Sequence, residues 1–352
     1  MKPIIGIIFG GTSLEHEVSL LSAVTIIENI DHDKYDILQI GIATDGKMYV
    51  GPDVLMSMRH KKDMTTVAQG TISSNPEFPG VFIFTEDGQH VFQKVDLFFP
   101  MTHGTFGEDG TLQGVLEYSR VPYVGSRVLG SALGMDKIIM KKVFATYRLP
   151  QVPFLPFTKE QIKTDIMVVR DEILANLHYP IFVKPANMGS SIGVKKVKTN
   201  GALQDALEQT TEHSHRIIVE QGITNMREIE CAVLGTRKVE TSTVGEVTHK
   251  AEFYDYKAKY EDEDTQMIIP AILDKVTISD IQSMAKKAFE ILDMRGLARV
   301  DFFVTNDEIF INEINSLPGF TSVSMYPRLF ESQGMSIKGL IQRLIDDALF
   351  KE

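Results

Sequence analysis

The residues best suited to chemistry lie between Arg299 and Thr321, in RVDFFVTNDEIFINEINSLPGFT. Residues 299–304 and 309–315 are rich in Phe, Val and Ile and flank Asn306-Asp307, which reads as two strands joined by a polar turn. Alternate side chains of a strand share a face, so Arg299 goes with Asp301 and Glu313 with Asn315. A three-residue turn, Asn306-Asp307-Glu308, pairs Asp301 with Glu313 and Arg299 with Asn315. A two-residue turn puts the two sets on opposite faces. Asn and Asp tolerate the left-handed conformation that the longer turn needs, and this favours it. Two carboxylates, an amide oxygen and a guanidinium then converge. Hard oxygens of this kind suit Mg²⁺, which fills the rest of its shell with water and substrate phosphates. Arg299 lies beside them, placed to meet an anion. The plainer reading is a surface hairpin with solvated charges. It fits less well, because the acids fall on the inward phase of apolar strands, where unpaired charge is costly.

The elements that must position these groups can be read along the chain. Residues 4–9 form an apolar run typical of a buried parallel strand, followed by Gly10-Gly11 and a helix over about 14–29. Backbone N–H groups at such a turn can face a ligand. The glycines do not have dinucleotide-fingerprint spacing. Thr12 to Glu15 match a capping box, which makes helix capping the plain role of Glu15. Residues 37–43 read as a second strand, and 48–79 carry no clear period. Residues 81–92 look like a hairpin around Glu86-Asp87-Gly88. The strand 95–100 ends at a glycine-rich loop, His103 to Gly110, which opens a helix at Thr111. Ligand loops sit at the carboxyl ends of such strands.

A helix over 137–147 precedes Pro150, Pro153 and Pro156, a natural place for a new domain. The strand 181–184 leads into Asn187 to Val194, whose Ser190 and Ser191 offer hydroxyls and backbone N–H groups to phosphate oxygens. The loop is not a Walker A motif, because Val194 stands where that motif needs Lys. With Lys137 upstream and Lys184 just before it, the loop has the parts of a triphosphate clamp. Residues 217–221 form an apolar strand. Residues 253–260 carry three tyrosines and two lysines ahead of an acidic run. That segment is either a solvated hairpin tip or a lid that keeps water off a reactive intermediate. The stripe Ile281, Met284, Ala285, Ala288 and Leu292 marks a helix over 277–294, with Thr277 and Asp280 resembling a capping box. Pro318 to Thr321 makes a turn whose Gly319 N–H can face an oxyanion. A last helix from Ser336 carries a core-packing stripe.

At 352 residues, with 43% apolar and 24% charged residues, the chain has material for two or three domains. A net charge of −11 argues against a nucleic-acid or anionic-membrane partner, though not against ATP held by local lysines. No apolar run approaches the length of a membrane span. The N-terminus lacks the long apolar region and cleavage site of a signal peptide. The single Cys231 allows no internal disulfide, which fits a reducing cytoplasm, and its apolar context reads as an inert buried thiol.

These strings carry a resemblance. R-x-D followed by N-E-x-N-x-x-P-G-[FM]-T resembles the metal and phosphate face of the ATP-grasp ligases, and within them the D-alanine–D-alanine ligase family. GGTSLEHEVSLLSA, HGxxGEDGxxQG and FYDYxxKY are similar to further motifs of that family, in the same order, from Gly10 to Met325. The resemblance implies an α/β chain, α+β in its C-terminal half, with the three-domain ATP-grasp fold. The domains would be 1–130 (substrate-binding), 131–215 (central) and 216–352 (C-terminal, with a mobile lid over 248–268). ATP would lie between the second and third domains.

Carried over residue by residue, Glu15 would hold the ammonium group of the first substrate and His103 would lie beside its carboxylate. Ser324 and Met325 would receive the carboxylate of the second. Lys137, Lys184, Ser190, Ser191 and Lys259 would hold phosphates, with Ser190 over the substrate end. Glu220, Gln221 and Ile223 would meet adenine, and Glu228 the ribose. Tyr260 would close a hydrogen-bonded set with Glu15 and Ser190. Asp301, Glu313 and Asn315 would bind two Mg²⁺ or Mn²⁺ ions, and Arg299 with Gly319 would stabilise the oxyanion. The implied reaction is ATP-dependent joining of two D-alanine molecules through an acyl phosphate, for peptidoglycan precursors, by a cytoplasmic homodimer. The alternative is a D-Ala-D-X depsipeptide or another dipeptide. Ester-forming members are expected to depart at Tyr260, so Tyr260 favours an amine as second substrate.

Overall fold

A computed structural model describes residues 1–85, 87–248 and 266–350. Their strands form three sheets. The first contains β1 (Ile4–Gly10), β2 (Asp36–Ile42), β3 (Met48–Val50), β4 (Gln69–Ile72), β5 (Gly80–Phe84), β6 (His90–Lys94) and β7 (Leu97–Pro100), in the order β6-β5-β4-β3-β2-β1-β7. β1 runs parallel to β2 and β7, as its continuous apolar sequence predicts, and the remaining pairs are antiparallel. The segment 48–79, featureless in sequence, supplies β3, β4 and a short helix, Val54–Arg59. These strands are three and four residues long, too short for a period to show.

The second sheet contains β8 (Phe154–Thr158), β9 (Ile181–Pro185), β10 (Lys195–Val197) and β11 (Arg216–Gln221), all antiparallel in the order β10-β9-β11-β8. The third contains β12 (Arg227–Gly235), β13 (Glu240–Thr248), β14 (Gln266–Ile268), β15 (Gly296–Val304) and β16 (Ile309–Asn315), antiparallel in the order β14-β13-β12-β15-β16.

Helix Lys275–Ile291 buries Ile281, Ala285 and Ala288 against the third sheet. It is capped by Asp274, whose carboxylate accepts from the Val276 and Thr277 N–H groups, and not by the Thr277–Asp280 pair that the sequence favours. Asp274 satisfies two of the donors that a helix start leaves open.

One hydrophobic core joins the two ends of the chain. Phe9, Leu20 and Ile26 from the N-terminal unit pack in the same cluster as Leu234, Leu297, Tyr326, Leu340 and Leu344. Fully burying such side chains contributes about 1.5–3 kcal/mol each. This shared core sets the loop after β1 and the loop after β7 against the segment beyond β16. Ser22 Oγ accepts from the Phe320 N–H at 3.1 Å across that junction.

Candidate active site

The hairpin β15–β16 brings Arg299 opposite Asn315 and Asp301 opposite Glu313. The route to that register is not the expected one. Thr305 N–H donates to Glu308 O at 2.9 Å, so only Asn306 and Asp307 lie in the turn. Neither has a positive φ. The Thr305 hydroxyl accepts from the Asp307 and Glu308 N–H groups at 3.3 and 3.0 Å and holds the turn instead. The shorter turn alone would leave the two sets out of phase. An irregularity beyond Asp301, where Asn312 is the unpaired residue between Ile311 and Glu313, restores the register. A bulge adds one residue to one strand and re-aims the side chains beyond it. Ile311 and Ile314 are both buried, three residues apart, with Glu313 and Asn315 on the other face.

Across the neighbouring strand Glu230 pairs with Asp301, so Glu230, Asp301 and Glu313 stand in a row. The Asp301 carboxylate accepts from Arg299 Nε at 2.7 Å and Nη2 at 2.8 Å, and from Asn315 Nδ2 at 3.0 Å. Glu230 lies 3.0 Å from Arg299 Nε. Burial opposes the Arg299 charge, but Asp301 and Glu230 outweigh it and hold the guanidinium well above its ordinary range. Glu313 lies 3.3 Å from Lys137 Nζ, which also donates to Met188 O at 2.9 Å.

Among the described residues no group of three or more His, Cys, Asp and Glu is arranged to hold a metal. Asp301, Glu313 and the Asn315 amide are instead two carboxylates and one amide. Such an oxygen set fits Mg²⁺, which leaves most of its shell to water and phosphate.

Glu15 stands at the start of helix His16–Asn29 but makes no side-chain cap. Its carboxylate accepts from the Ser190 hydroxyl instead. Ser13 Oγ accepts from the Glu15 N–H at 3.2 Å and donates to His103 O at 2.6 Å, so the capping-box geometry is not formed. Two glycines let other backbone segments approach this carboxylate. A Cβ on Gly104 would lie 2.7 Å from Glu15 Oε2, and one on Gly189 would lie 3.2 Å from it. Ser190 and Ser191 both adopt left-handed backbone, at φ 48° and 57°.

His103 is buried, with Nδ1 3.0 Å from Leu317 O and Nε2 3.3 Å from Ser22 Oγ. Burial holds its pKa below the ordinary histidine value, against the pull of Glu15, so the ring is neutral. In this arrangement both nitrogens tie the loop after β7 to its neighbours, and His103 lines the cavity described below. Ser324 Oγ accepts from Thr321 N–H at 3.1 Å and contacts Thr321 Oγ1 at 2.7 Å, closing the turn Thr321–Ser324 beside Gly319. A cavity of about 350 Å³ is lined by Glu15, His103, Lys137, Ser190, Arg299, Glu313, Asn315, Gly319, Ser324 and Met325.

Sequence reasoning puts these residues in one site, and they come from segments hundreds of positions apart. A model of the D-ala D-ala ligase N-terminus matches residues 4–126, and one of the D-ala D-ala ligase C-terminus matches residues 143–346. The chain belongs to the D-alanine–D-alanine ligase family. The D-alanine--D-alanine ligase of Acetivibrio thermocellus is 45% identical over 97% of this chain and 95% of its own length. That of Heliobacterium modesticaldum is 44% identical over 98% and 94%. Among solved structures, the VanG D-Ala:D-Ser ligase of Enterococcus faecalis superposes with a TM-score of 0.89 at 36% identity, covering 98% of this chain and 99% of that one. The D-alanine-D-alanine ligase of Coxiella burnetii gives 0.84 at 32% identity, covering 99% and 94%. The mixed α/β chain has the ATP-grasp fold of these ligases.

Other residues singled out in sequence lie away from this cavity. Lys184 Nζ donates to Glu220 Oε2 at 2.5 Å, and Glu220 is 2% exposed. Burial works against the Lys184 charge, but Glu220, then Glu313 and Glu228, raise its pKa above the ordinary value. The Gln221 side chain is occupied at the backbone of His178, accepting from its N–H at 2.7 Å and donating to its carbonyl at 2.6 Å. Ser191, Ile223, Glu228 and Asp301 do not line the cavity, although Asp301 is bonded to Arg299 and Asn315, which do. Lys259 and Tyr260 lie outside the described residues.

Three groups were not foreseen. Glu230 follows Glu228 at strand spacing, which was a usable signal. Glu108 in the glycine loop accepts from Gly104 N–H at 2.6 Å and Leu317 N–H at 3.2 Å. Burial, and then the charge of Glu15, push its carboxyl up to about 8. Lys141 is 1% exposed and sits 3.2 Å from Glu220 Oε1. It follows Lys137 at i+4, the spacing that stacks side chains on one helix face.

Proposed function

We propose that this chain joins two D-alanine molecules into D-alanyl-D-alanine, with ATP converted to ADP and phosphate. One observation carries this reading: in a chain of this family, Glu15, Ser190, Arg299, Glu313, Gly319 and Ser324 meet around one cavity. A carboxylate is a poor acyl donor because oxide would have to leave. In the proposed sequence, a carboxylate oxygen of the first D-alanine attacks the γ-phosphorus of ATP, and ADP departs. The amine of the second D-alanine, having lost a proton from its ammonium form, then attacks the acyl carbon. Phosphate leaves with the bridging oxygen.

In this reading Glu15, held by Ser190, receives the first ammonium group, and the Ser324–Met325 turn receives the second carboxylate. Lys137, Lys184, Ser190 and Ser191 hold phosphates, with Lys259 on the γ-phosphate. Glu220, the backbone at Gln221 and Ile223 meet adenine, and Glu228 meets the ribose. Arg299 and the Gly319 N–H stabilise the oxyanion, a contribution typically worth about 3–4 kcal/mol per donor. Asp301, Glu313 and Asn315 would hold Mg²⁺, and a bound Mg²⁺ offsets phosphate charge. Tyr260 has its role with Glu15 and Ser190 in the catalytic set. His103 acts by fixing the loop after β7.

The three sheets support three units, with the second ending after β11 rather than at 215, because Arg216–Gln221 pairs with β8 and β9 of the second sheet. The reading places the reaction in cytoplasmic supply of peptidoglycan precursors. Among the described residues no helix is long and apolar enough to cross a membrane. Val115, Tyr118, Val128 and Leu129 are exposed on two helices that pack together, and this supports a homodimer that sedimentation equilibrium would detect.

The likeness to a D-Ala:D-Ser ligase favours D-serine as a second reading for the second substrate. Product analysis by mass spectrometry, with ATP, Mg²⁺ and D-alanine alone or with D-serine, D-lactate or L-alanine, separates the two. D-alanyl-D-alanine from D-alanine alone is the expected result. A mixed product dominating at equal concentrations would overturn D-alanine as the preferred second substrate.

A further inference from the structure

Glu220 is a buried carboxylate shared by two lysines. Lys184 Nζ donates to one oxygen at 2.5 Å, and Lys141 Nζ lies 3.2 Å from the other. The two lysines differ in what they can do next. The Lys184 side chain is 14% exposed, whereas the Lys141 side chain is 1% exposed on helix Lys137–Thr146. Among the described residues Glu220 is the one acid paired with the Lys141 ammonium, at 3.2 Å. Burial opposes ionisation of Glu220, but Lys141 and then Lys184 overcome it and hold its pKa at about 2, while burial, against the pull of Glu220, lowers the pKa of Lys141.

A Lys184 ammonium that also donates to a phosphate shares its charge between the phosphate and Glu220. A lysine that turns away from a buried carboxylate leaves an uncompensated charge, which is strongly destabilising. We infer that Lys141 is a positioning residue for nucleotide binding, the fixed counter-ion that keeps Glu220 paired while Lys184 turns to the phosphates of ATP. The inference rests on the reading of Lys184 as a phosphate ligand. It divides the labour by burial: the partly exposed cation binds, and the fully buried one stays with the carboxylate.

The test is isothermal titration of the full-length protein with ATP and with AMP, which lacks the two outer phosphates. The variants are Lys141→Met, Lys141→Arg, Lys184→Met and the double variant Lys141→Met/Glu220→Gln. Lys141→Met is expected to weaken ATP by about tenfold or more, the equivalent of about 1.4 kcal/mol, and to leave AMP within about twofold. Lys141→Arg restores ATP binding, because it keeps the charge. The double variant recovers the ratio of ATP to AMP affinity, because a neutral amide in place of the Glu220 carboxylate needs no counter-ion and any loss at adenine falls equally on both nucleotides; removing both partners of a buried pair is far milder than removing one.

ATP affinity unchanged in Lys141→Met, with Lys184→Met weakened, overturns the inference and leaves the phosphate reading standing. Equal losses of ATP and AMP in Lys141→Met, without recovery in the double variant, also overturn it, by marking a purely structural lysine. Lys184→Met with wild-type ATP affinity removes the phosphate reading and the inference with it. Should Lys141→Met not fold, Lys141→Gln, polar but uncharged, takes its place with the same outcomes.

Discussion

At the scale of single residues, the site works by answering each buried charge with a specific partner. Arg299 shows this best. Asp301 and Glu230 fix its guanidinium, so its orientation is set before any substrate arrives. Preorganised donors are worth most where charge develops only in the transition state. Arg299→Ala is therefore expected to lower kcat by about 10²–10³ while ATP affinity stays within a few-fold. An unchanged kcat in steady-state assays would reject the role. Glu108 gives a pH prediction. Its folded pKa of about 8 lies above the ordinary 4.5. The stability tied to the protonated carboxyl is thus fully present below about 4.5 and is lost as pH rises through about 8. Gln cannot ionise. Melting curves should show Glu108→Gln gaining on the wild type from pH 5 to 8, with the gap levelling above that; a constant gap would contradict the assignment. Cys231, fully buried with its thiol pushed up to about 12, is as inert as its apolar context implied.

At the scale of elements, the hairpin β15–β16 shows what a sequence can and cannot disclose. Alternation correctly put Arg299 with Asp301 and Glu313 with Asn315, because side-chain phase is a local property. The turn is one residue shorter than Asn306-Asp307-Glu308 suggests, because Thr305 rather than a left-handed Asn or Asp stabilises it. The signal that would have corrected it was present: Ile311 and Ile314 are three apart, a spacing that a regular strand cannot bury on one face. Glu15 was a harder case. Its capping-box spacing is real, but Ser190, 175 positions away, holds the carboxylate. Only tertiary structure could decide between a cap and a ligand group. Gly104 tests that packing. Its φ is 74°, and a Cβ there would stand 2.7 Å from Glu15 Oε2. Ala at this position is strained by about 1–2 kcal/mol and displaces Glu15. Gly104→Ala should raise the KM for D-alanine by about tenfold, close to 1.4 kcal/mol, and leave that for ATP nearly unchanged. Parallel rises in both would point to general unfolding instead.

At the scale of the whole molecule, the decisive feature is the core shared by the first and last segments. Phe9 and Ile26 pack with Leu234, Leu340 and Leu344, so the Glu15 loop and the Gly319 turn face each other across one cavity. The amphipathic stripe from Ile337 to Leu349 announced a packed helix; its partner at the opposite end of the chain was invisible to periodicity, which carries no long-range information. The lysine–carboxylate trio around Glu220 was hidden for the same reason. What such a closed site is for is tested most directly by tracing an atom. D-alanine labelled with ¹⁸O in its carboxylate, incubated with ATP, Mg²⁺ and the full-length protein, should give D-alanyl-D-alanine and phosphate carrying one ¹⁸O, both read by mass spectrometry. Unlabelled phosphate would contradict the acyl-phosphate route, and absence of the dipeptide would contradict the proposed ligase activity itself.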